Sequence, residues 1–308
     1  LLQHRRPTPD PERNRGGTLK TSPEHPVSTQ HYFVPQPSLY PIILSAGMFL
    51  LALGFIQTLN NFGAGGWVML AGTAVILTVL FGWFGKVIGE SQSGAYRDWE
   101  DRSFRHGMIW FISTEVMFFA AFFGALFYVR VLSVPTLGGM EAAHGFSLWP
   151  EFAGTWPTSG PKGVPFTPMG AWGIPALNTA LLLSSGATIT WAHWGLLRNN
   201  RRQLILGLAA TVLLGSVFLG FQAWEYHHAY TELGLTMGAG AYGATFFMLT
   251  GFHGFHVTLG TIMLTVILLR SISGHFTPQR HFAFEGVAWY WHFVDVVWLI
   301  LFVFVYWV

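Results

Sequence analysis

The chain contains no cysteine in its 308 residues, which excludes disulfides, zinc–thiolate sites and cysteine nucleophiles. Charge is almost as scarce: Asp, Glu, Lys and Arg make up 10% of the residues, against roughly 25% in an ordinary soluble domain. Lysine is reduced to Lys20, Lys86 and Lys162. None lies in the last apolar stretch, so a seven-helix pigment or pump that needs a Schiff-base lysine there is excluded. No basic patch with interleaved aromatics stands out, which argues against nucleic acid as a partner. Nor is there a convincing internal repeat, the usual mark of a transporter built from inverted halves.

Apolar residues fill the space left by these absences: 52% of the chain is hydrophobic and 17% aromatic. A hydrocarbon core about 30 Å thick is crossed by roughly 20 helical residues, and open strands are excluded there because their backbone groups would go unsatisfied. The spans predicted on that basis are Leu39–Ile56, Trp67–Ile88, Phe104–Val131, Trp172–Leu196, Leu204–Ala223, Tyr242–Leu269 and Phe282–Tyr306. The expected fold is therefore an all-α, polytopic membrane protein of seven helices.

Basic residues then set the orientation, because cytoplasmic loops retain Lys and Arg. Arg5, Arg6, Arg13, Arg15 and Lys20 precede the first span, and Lys86, Arg97, Arg102 and Arg105 join the second to the third. Arg198, Arg201 and Arg202 follow the fourth, and Arg270 and Arg280 follow the sixth. Of the 16 basic residues only Arg130 and Lys162 fall opposite. A multi-pass protein of the inner (cytoplasmic) membrane is expected, with its N-terminus cytoplasmic and its C-terminus periplasmic.

The organisation along the chain follows. Residues 1–38, Pro-rich and charged, read as a disordered cytoplasmic tail, and no apolar segment follows the early arginines closely enough for a cleavable signal. Residues 39–88 hold helices one and two. A polar link, 89–105, separates them from a five-helix bundle at 106–308. Within that bundle a long outer loop, about 132–171, is rich in Gly, Pro, Ser and Thr. Loops of that length are often functional, and Trp149, Phe152, Trp156 and Phe166 are expected to fold onto this chain's outer surface or onto a partner.

Glu115 lies near the middle of the third span, where an ionised acid is costly; it must be protonated, paired or turned toward protein. Its neighbours Ser113, Thr114 and Met117 offer no cation, and Arg105 and Arg130 are too distant along the helix to pair with it. In the last span, His292 and Asp295 share a helical face, which predicts a neutralising pair that orients the helix. His253 and His256, also one turn apart, alternate with Gly251 and Gly254. Two imidazoles at that spacing can ligate a metal, but without an evident third ligand the pattern reads as close helix packing with interhelical hydrogen bonds. His193 reads as a satisfied buried histidine. Trp83 and Phe84 with Glu90 end helix two, and Arg270 with His275 ends helix six. Such residues anchor helices at headgroup level, and the basic ones can hold an anionic lipid.

Six stretches resemble one family in order along the chain: VIGES at Val87–Ser91, FRHGMIWFISTEVMFFAAFF at Phe104–Phe123, IPALNTALLLSSGATITWAHW at Ile174–Trp194, FQAWEYHHA at Phe221–Ala229, YGATFFMLTGFHGFHVTLG at Tyr242–Gly260, and HFAFEGVAWYWHFVDVVWLILFVFVYW at His281–Trp307. They are similar to subunit III of cytochrome c oxidase, in the haem-copper oxidase family. The link SQSGAYRDWEDRS departs from the pattern, lacking the family's His-Thr-Pro, and the charged tail is longer than usual. The resemblance implies seven helices divided two plus five around a lipid-filled cleft. It further implies a subunit with no metal, cofactor or catalytic residue of its own, haem and copper belonging to partner subunits I and II, with cytochrome c donating electrons through subunit II. The chain would pack on subunit I, bind phospholipids, and support proton uptake and turnover stability within a bacterial-type oxidoreductase complex that reduces oxygen to water. Carried over by position, Trp83, Glu90 and Glu115 would line the cleft, with Phe84 beside them, and Arg270 and His275 would meet headgroups. The third subunit of a quinol oxidase, typically a five-helix bundle, stays open as an alternative, because the electron donor is decided in subunit II.

Overall fold

The computed structural model describes residues 33–139 and 149–307. The expected disordered tail lies, up to residue 32, outside the described residues, as does the middle of the outer loop at 140–148. All the helices fall in one compact unit, Ser38–Val308. The long ones are α1 (Tyr40–Leu59), α2 (Gly65–Gln92), α3 (Asp98–Phe127), α5 (Ile174–Leu197), α6 (Arg201–Thr231), α7 (Ala241–Ile272) and α8 (Phe282–Leu301), with a single helical turn, α4 (Val134–Leu137), between α3 and α5. Tyr128–Ser133 and Phe302–Tyr306 are π-helical. The first of these carries α3 into α4, so the third predicted span runs helically six residues beyond its expected end at Val131, into the start of the predicted outer loop.

Helix boundaries follow local chemistry. Pro41 and Pro175 sit in the first turns of α1 and α5, where a missing N–H costs nothing. Gly173 and Gly240, with φ of 105° and 89°, precede α5 and α7; a side chain would be strained in that region. At the start of α6 the Asn200 side chain accepts the Gln203 N–H at 3.2 Å. Asp98, Glu100 and Asp101 occupy the first turn of α3, where acids favour the helix dipole. The polar link 89–105 is mostly helical, since α2 continues to Gln92 and α3 begins at Asp98.

Among the described residues, six helical runs are long and apolar enough to cross a membrane: Tyr40–Leu59, Gly65–Gln92, Asp98–Leu137, Arg201–Thr231, Ala241–Ile272 and Phe282–Tyr306. The fourth predicted span is the exception among the seven. α5 has 24 residues, about 36 Å at 1.5 Å each, but Asn178, Thr179, Ser184, Ser185, Thr188, Thr190 and His193 lower its apolarity. Several of these polar groups are satisfied inside the bundle. Trp291 Nε1 donates to Ser185 Oγ at 2.8 Å and Trp298 Nε1 to Thr179 Oγ1 at 2.9 Å, both from α8, while Thr188 and Thr211 of α6 share a hydrogen bond of 2.8 Å.

Glycine sets two close approaches. α1 and α2 pack on one another through Gly47 and Gly54 against Gly65 and Gly72, each pair seven residues apart; a Cβ at Gly72 would lie 2.6 Å from the Leu51 backbone nitrogen. Small residues let helices approach in this way where lipid removes the hydrophobic drive. The second approach is at Trp291, fully buried in α8. A Cβ at Gly215 of α6 or Gly260 of α7 would come within 2.8 Å of its ring. With its N–H on Ser185, this one side chain touches α5, α6 and α7.

The predicted fate of the outer loop is partly borne out. Phe166 stacks on Tyr242 at 5.2 Å and Trp156 meets the same ring edge-on at 5.6 Å. Backbone bonds Tyr242 N–Thr158 O and Thr167 N–Leu233 O tie the loop to the start of α7 and the end of α6.

Candidate functional site

Glu115 finds its partner on another helix. Its Oε2 lies 2.9 Å from Nε2 of His256, on α7. His256 Nδ1 is 2.6 Å from the Phe252 carbonyl, which only accepts, so Nδ1 carries a hydrogen. Nε2 therefore either accepts the Glu115 O–H or, protonated, donates to its carboxylate. In both cases the pair shares one proton and carries no net charge. Rings of Phe119, Phe118 and Tyr290 surround His256 at centroid distances of 5.0, 5.9 and 6.4 Å, and the dry wall strengthens the contact. The partner was not visible within the third span because it is supplied 141 positions along the chain.

The two histidines of α7 face different neighbours. His253, fully buried, has Nε2 3.1 Å from the Val294 carbonyl on α8, while His256 turns to α3. Three of their four ring nitrogens are thus committed, which fits interhelical hydrogen bonding rather than a shared metal. The expected His292–Asp295 pair does not form: among the described residues no ion pair or hydrogen bond joins them. His292 Nε2 is instead 3.4 Å from Thr190 Oγ1, and Asp295 Oδ1 is buried without a partner. Both face Gly186 of α5, because α8 is rotated to bring Trp291 and Trp298 into the core.

His193 is also corrected. It is half-buried, and its Nε2 lies 3.6 Å from Glu285 Oε1 with no hydrogen bond made among the described residues. It belongs to a cluster that sequence reading did not single out. Glu285, in the first turn of α8, pairs with Arg105 of α3 and lies 3.2 Å from His281 Nε2; Arg105 in turn holds Asp101 at 2.7 Å. The donor atoms of His193, His281 and Glu285 lie within 4.8 Å of one another, close enough for metal ligands, but Arg105 already supplies the counter-charge to the carboxylate and opposes a second cation. The residues are scattered along the chain from Asp101 to Glu285, and hydropathy carries no signal for such a cluster.

This cluster marks one end of the bundle, where the α2–α3 and α7–α8 links also approach: a Cβ at Gly94 would be 3.3 Å from the Arg280 guanidinium. Arg201 donates to the Ile272 carbonyl at the same end. The lipid-contact candidates gather there too. Trp83 stacks on Tyr40 at 5.9 Å with an interplanar angle of 12°, Phe84 is exposed, and Glu90 accepts the Tyr96 hydroxyl at 2.7 Å. Burial, with the Glu90 carboxylate alongside, holds the Tyr96 hydroxyl above the ordinary tyrosine range, so it remains a donor. The Arg270 guanidinium lies 4.6 Å from the Phe276 ring centre, and His275 is exposed.

Long apolar helices closed by interhelical hydrogen bonds, with ionisable groups paired inside or gathered at one end, define a polytopic α-helical membrane protein. A profile of cytochrome c oxidase subunit III matches residues 30–308. The chain is 44% identical to cytochrome c oxidase subunit 3 of Marchantia polymorpha, over 91% of this chain and 98% of that protein. It is 41% identical to the Arabidopsis thaliana protein, over 90% and 96%, and 41% identical to that of Branchiostoma lanceolatum, over 88% and 94%. The chain belongs to the cytochrome c oxidase subunit III family.

Proposed function

We propose that the chain is the non-redox third subunit of a bacterial-type cytochrome c oxidase in the cytoplasmic membrane, N-terminus cytoplasmic and C-terminus periplasmic. In this reading it packs on subunit I beside subunit II, binds phospholipid between α1–α2 and the remaining helices, and supports proton uptake and turnover stability. Haem and copper stay in the partner subunits, and cytochrome c delivers electrons through subunit II. The observation that carries the reading is the pattern of packing. α1 and α2 are seamed to each other through glycine, whereas α3 and α5–α8 are joined by Trp291, the Glu115–His256 pair and the Arg105–Glu285 cluster. Two groups so divided leave apolar faces such as Phe81 and Phe84 on α2 and Trp110 and Met117 on α3 exposed, surfaces that call for lipid or a partner. α5, shielded by α6 and α8, crosses within the five-helix group.

Trp83, Phe84, Glu90 and Glu115 line the lipid cleft in this account, and Arg270 and His275 meet headgroups. Orientation follows from the basic end, where Arg105, Arg201, Arg270 and Arg280 collect on what would be the cytoplasmic side. The Glu115–His256 pair is a modulator: it holds one proton without net charge, and oxygen reduction proceeds in subunit I. Glu115→Gln in the assembled complex is expected to leave initial oxygen consumption near normal while shortening the active lifetime during turnover or lowering lipid retention. Immediate loss of oxygen reduction in a fully assembled, lipid-replete enzyme would show Glu115 to be an obligatory conduit.

A further inference from the structure

At the end of the bundle away from Arg105, polar side chains from three elements converge in the core. Tyr306, in the π-turn that closes α8, donates its hydroxyl to Glu225 Oε1 on α6 at 2.6 Å, and Gln222, one turn earlier on the same face, lies beside that hydroxyl. Asn178 of α5 lies at their level by register. The contacts Gly195–Leu204, Ala192–Gly207 and Thr188–Thr211 run antiparallel in constant step. Continued along α5, that step sets Asn178 level with Phe221 and Gln222. Asn178 also lies on the same buried stripe as Ser185 and Ala192, at seven-residue spacing.

These groups are shut away from the surface and short of partners. Asn178 is 0% exposed, Glu225 1% and Gln222 6%. Yet both polar atoms of Asn178, both of Gln222, and Glu225 Oε2 have no hydrogen-bond partner in the protein among the described residues. A buried polar group left unsatisfied is costly, so five at one level of the core call for a ligand. Its chemistry follows from the atoms. Three are oxygens and two are amide N–H₂ groups; a metal cation would satisfy the oxygens and be repelled by the amides, whereas water both donates and accepts. A buried water needs two to four polar partners, which this set supplies more than once.

We propose that Asn178, Gln222 and Glu225 hold a cluster of ordered water inside the subunit, bridging α5, α6 and the C-terminal end of α8, with access past Tyr306. Tyr306 faces both compartments: its hydroxyl is on Glu225, and the residue lines a cavity of about 540 Å³ with Met169, Ala171 and Trp307. Glu225 is thereby linked through the Tyr306 side chain to that cavity while remaining within the core.

The test uses the assembled wild-type oxidase complex: a map at a resolution that shows water, paired with infrared spectra in H₂O and D₂O. The expected result is water density within hydrogen-bond distance of Asn178, Gln222 and Glu225, together with a Glu225 signal, identified by its loss in Glu225→Gln, that shifts in D₂O. Direct amide–amide and amide–carboxyl hydrogen bonds with no solvent density overturn the proposal, and so does a metal ion at that position. Water density with a Glu225 signal unmoved by D₂O overturns the access route. In Asn178→Leu the water beside residue 178 should be lost while the Tyr306–Glu225 bond remains; if that variant does not assemble, the wild-type map and spectra decide.

Discussion

Truncating Trp291 to alanine is expected to destabilise the subunit by about 3–5 kcal/mol, the range for deleting a large buried aromatic. The upper part of that range applies, because the loss is threefold. The indole fills the space that Gly215 and Gly260 leave open on α6 and α7, its removal creates a cavity that glycine cannot fill, and Ser185 Oγ loses its N–H donor at 2.8 Å. Thermal denaturation of the assembled complex, followed by retention of this subunit, provides the readout. The variant should release the subunit at a markedly lower temperature than wild type, and Trp291→Phe, which restores most of the volume but not the donor, should fall between. An alanine variant that matches wild type would mean that the helices around Trp291 are held by contacts elsewhere.

The second large effect is expected at the basic end. Arg105→Met leaves Glu285 facing His193 and His281 without its guanidinium. Breaking a buried ion pair by removing one partner costs about 3–5 kcal/mol. The Glu285 side chain is 14% exposed and that of Arg105 32%, so the lower bound, about 3 kcal/mol, is the expected figure. Replacing both, as Arg105→Met with Glu285→Leu, removes the stranded charge and should recover much of the loss, since well-packed apolar residues often replace an ion pair without cost. The comparison is made on the same complex by thermal denaturation. If the double variant is as unstable as the single one, the cluster is holding something beyond its own charges, and the pairwise account is wrong.

The two substitutions also mark where sequence reading reached its limit. Helix number and class were legible because each apolar run is long, and the starts of α1, α5 and α7 are marked by Pro41, Gly173 with Pro175, and Gly240, local signals that need no tertiary context. α5 was legible as a helix, yet its apolarity falls short because Ser185, Thr179 and Thr188 find partners on α6 and α8, a compensation that hydropathy does not register. Glu115 was legible as a problem, an acid in the middle of an apolar helix, but its solution, His256, depends on how α3 and α7 are rotated. The same rotation explains the expected pair that failed. His292 and Asp295 share a helical face, but α8 turns Trp291 and Trp298 inward, and the two polar residues face α5 at Gly186, where His292 meets Thr190 instead of Asp295. Glu285 and Arg105 could not be paired in advance, because they lie on different helices far apart in the chain and only the packing of α3 against α8 brings them together. The Tyr306–Glu225 bond likewise carries no local signal, because it depends on the π-turn that ends α8 bringing the hydroxyl onto α6.

The central claim is that α1–α2 and the remaining helices are two groups with phospholipid between them. The most direct measurement is a well-resolved map of the purified complex in a native-like bilayer. The account predicts ordered acyl chains between the two groups, with headgroups near Trp83 and Glu90. Direct side-chain packing of α1–α2 against the other helices, with no lipid between them, would contradict it.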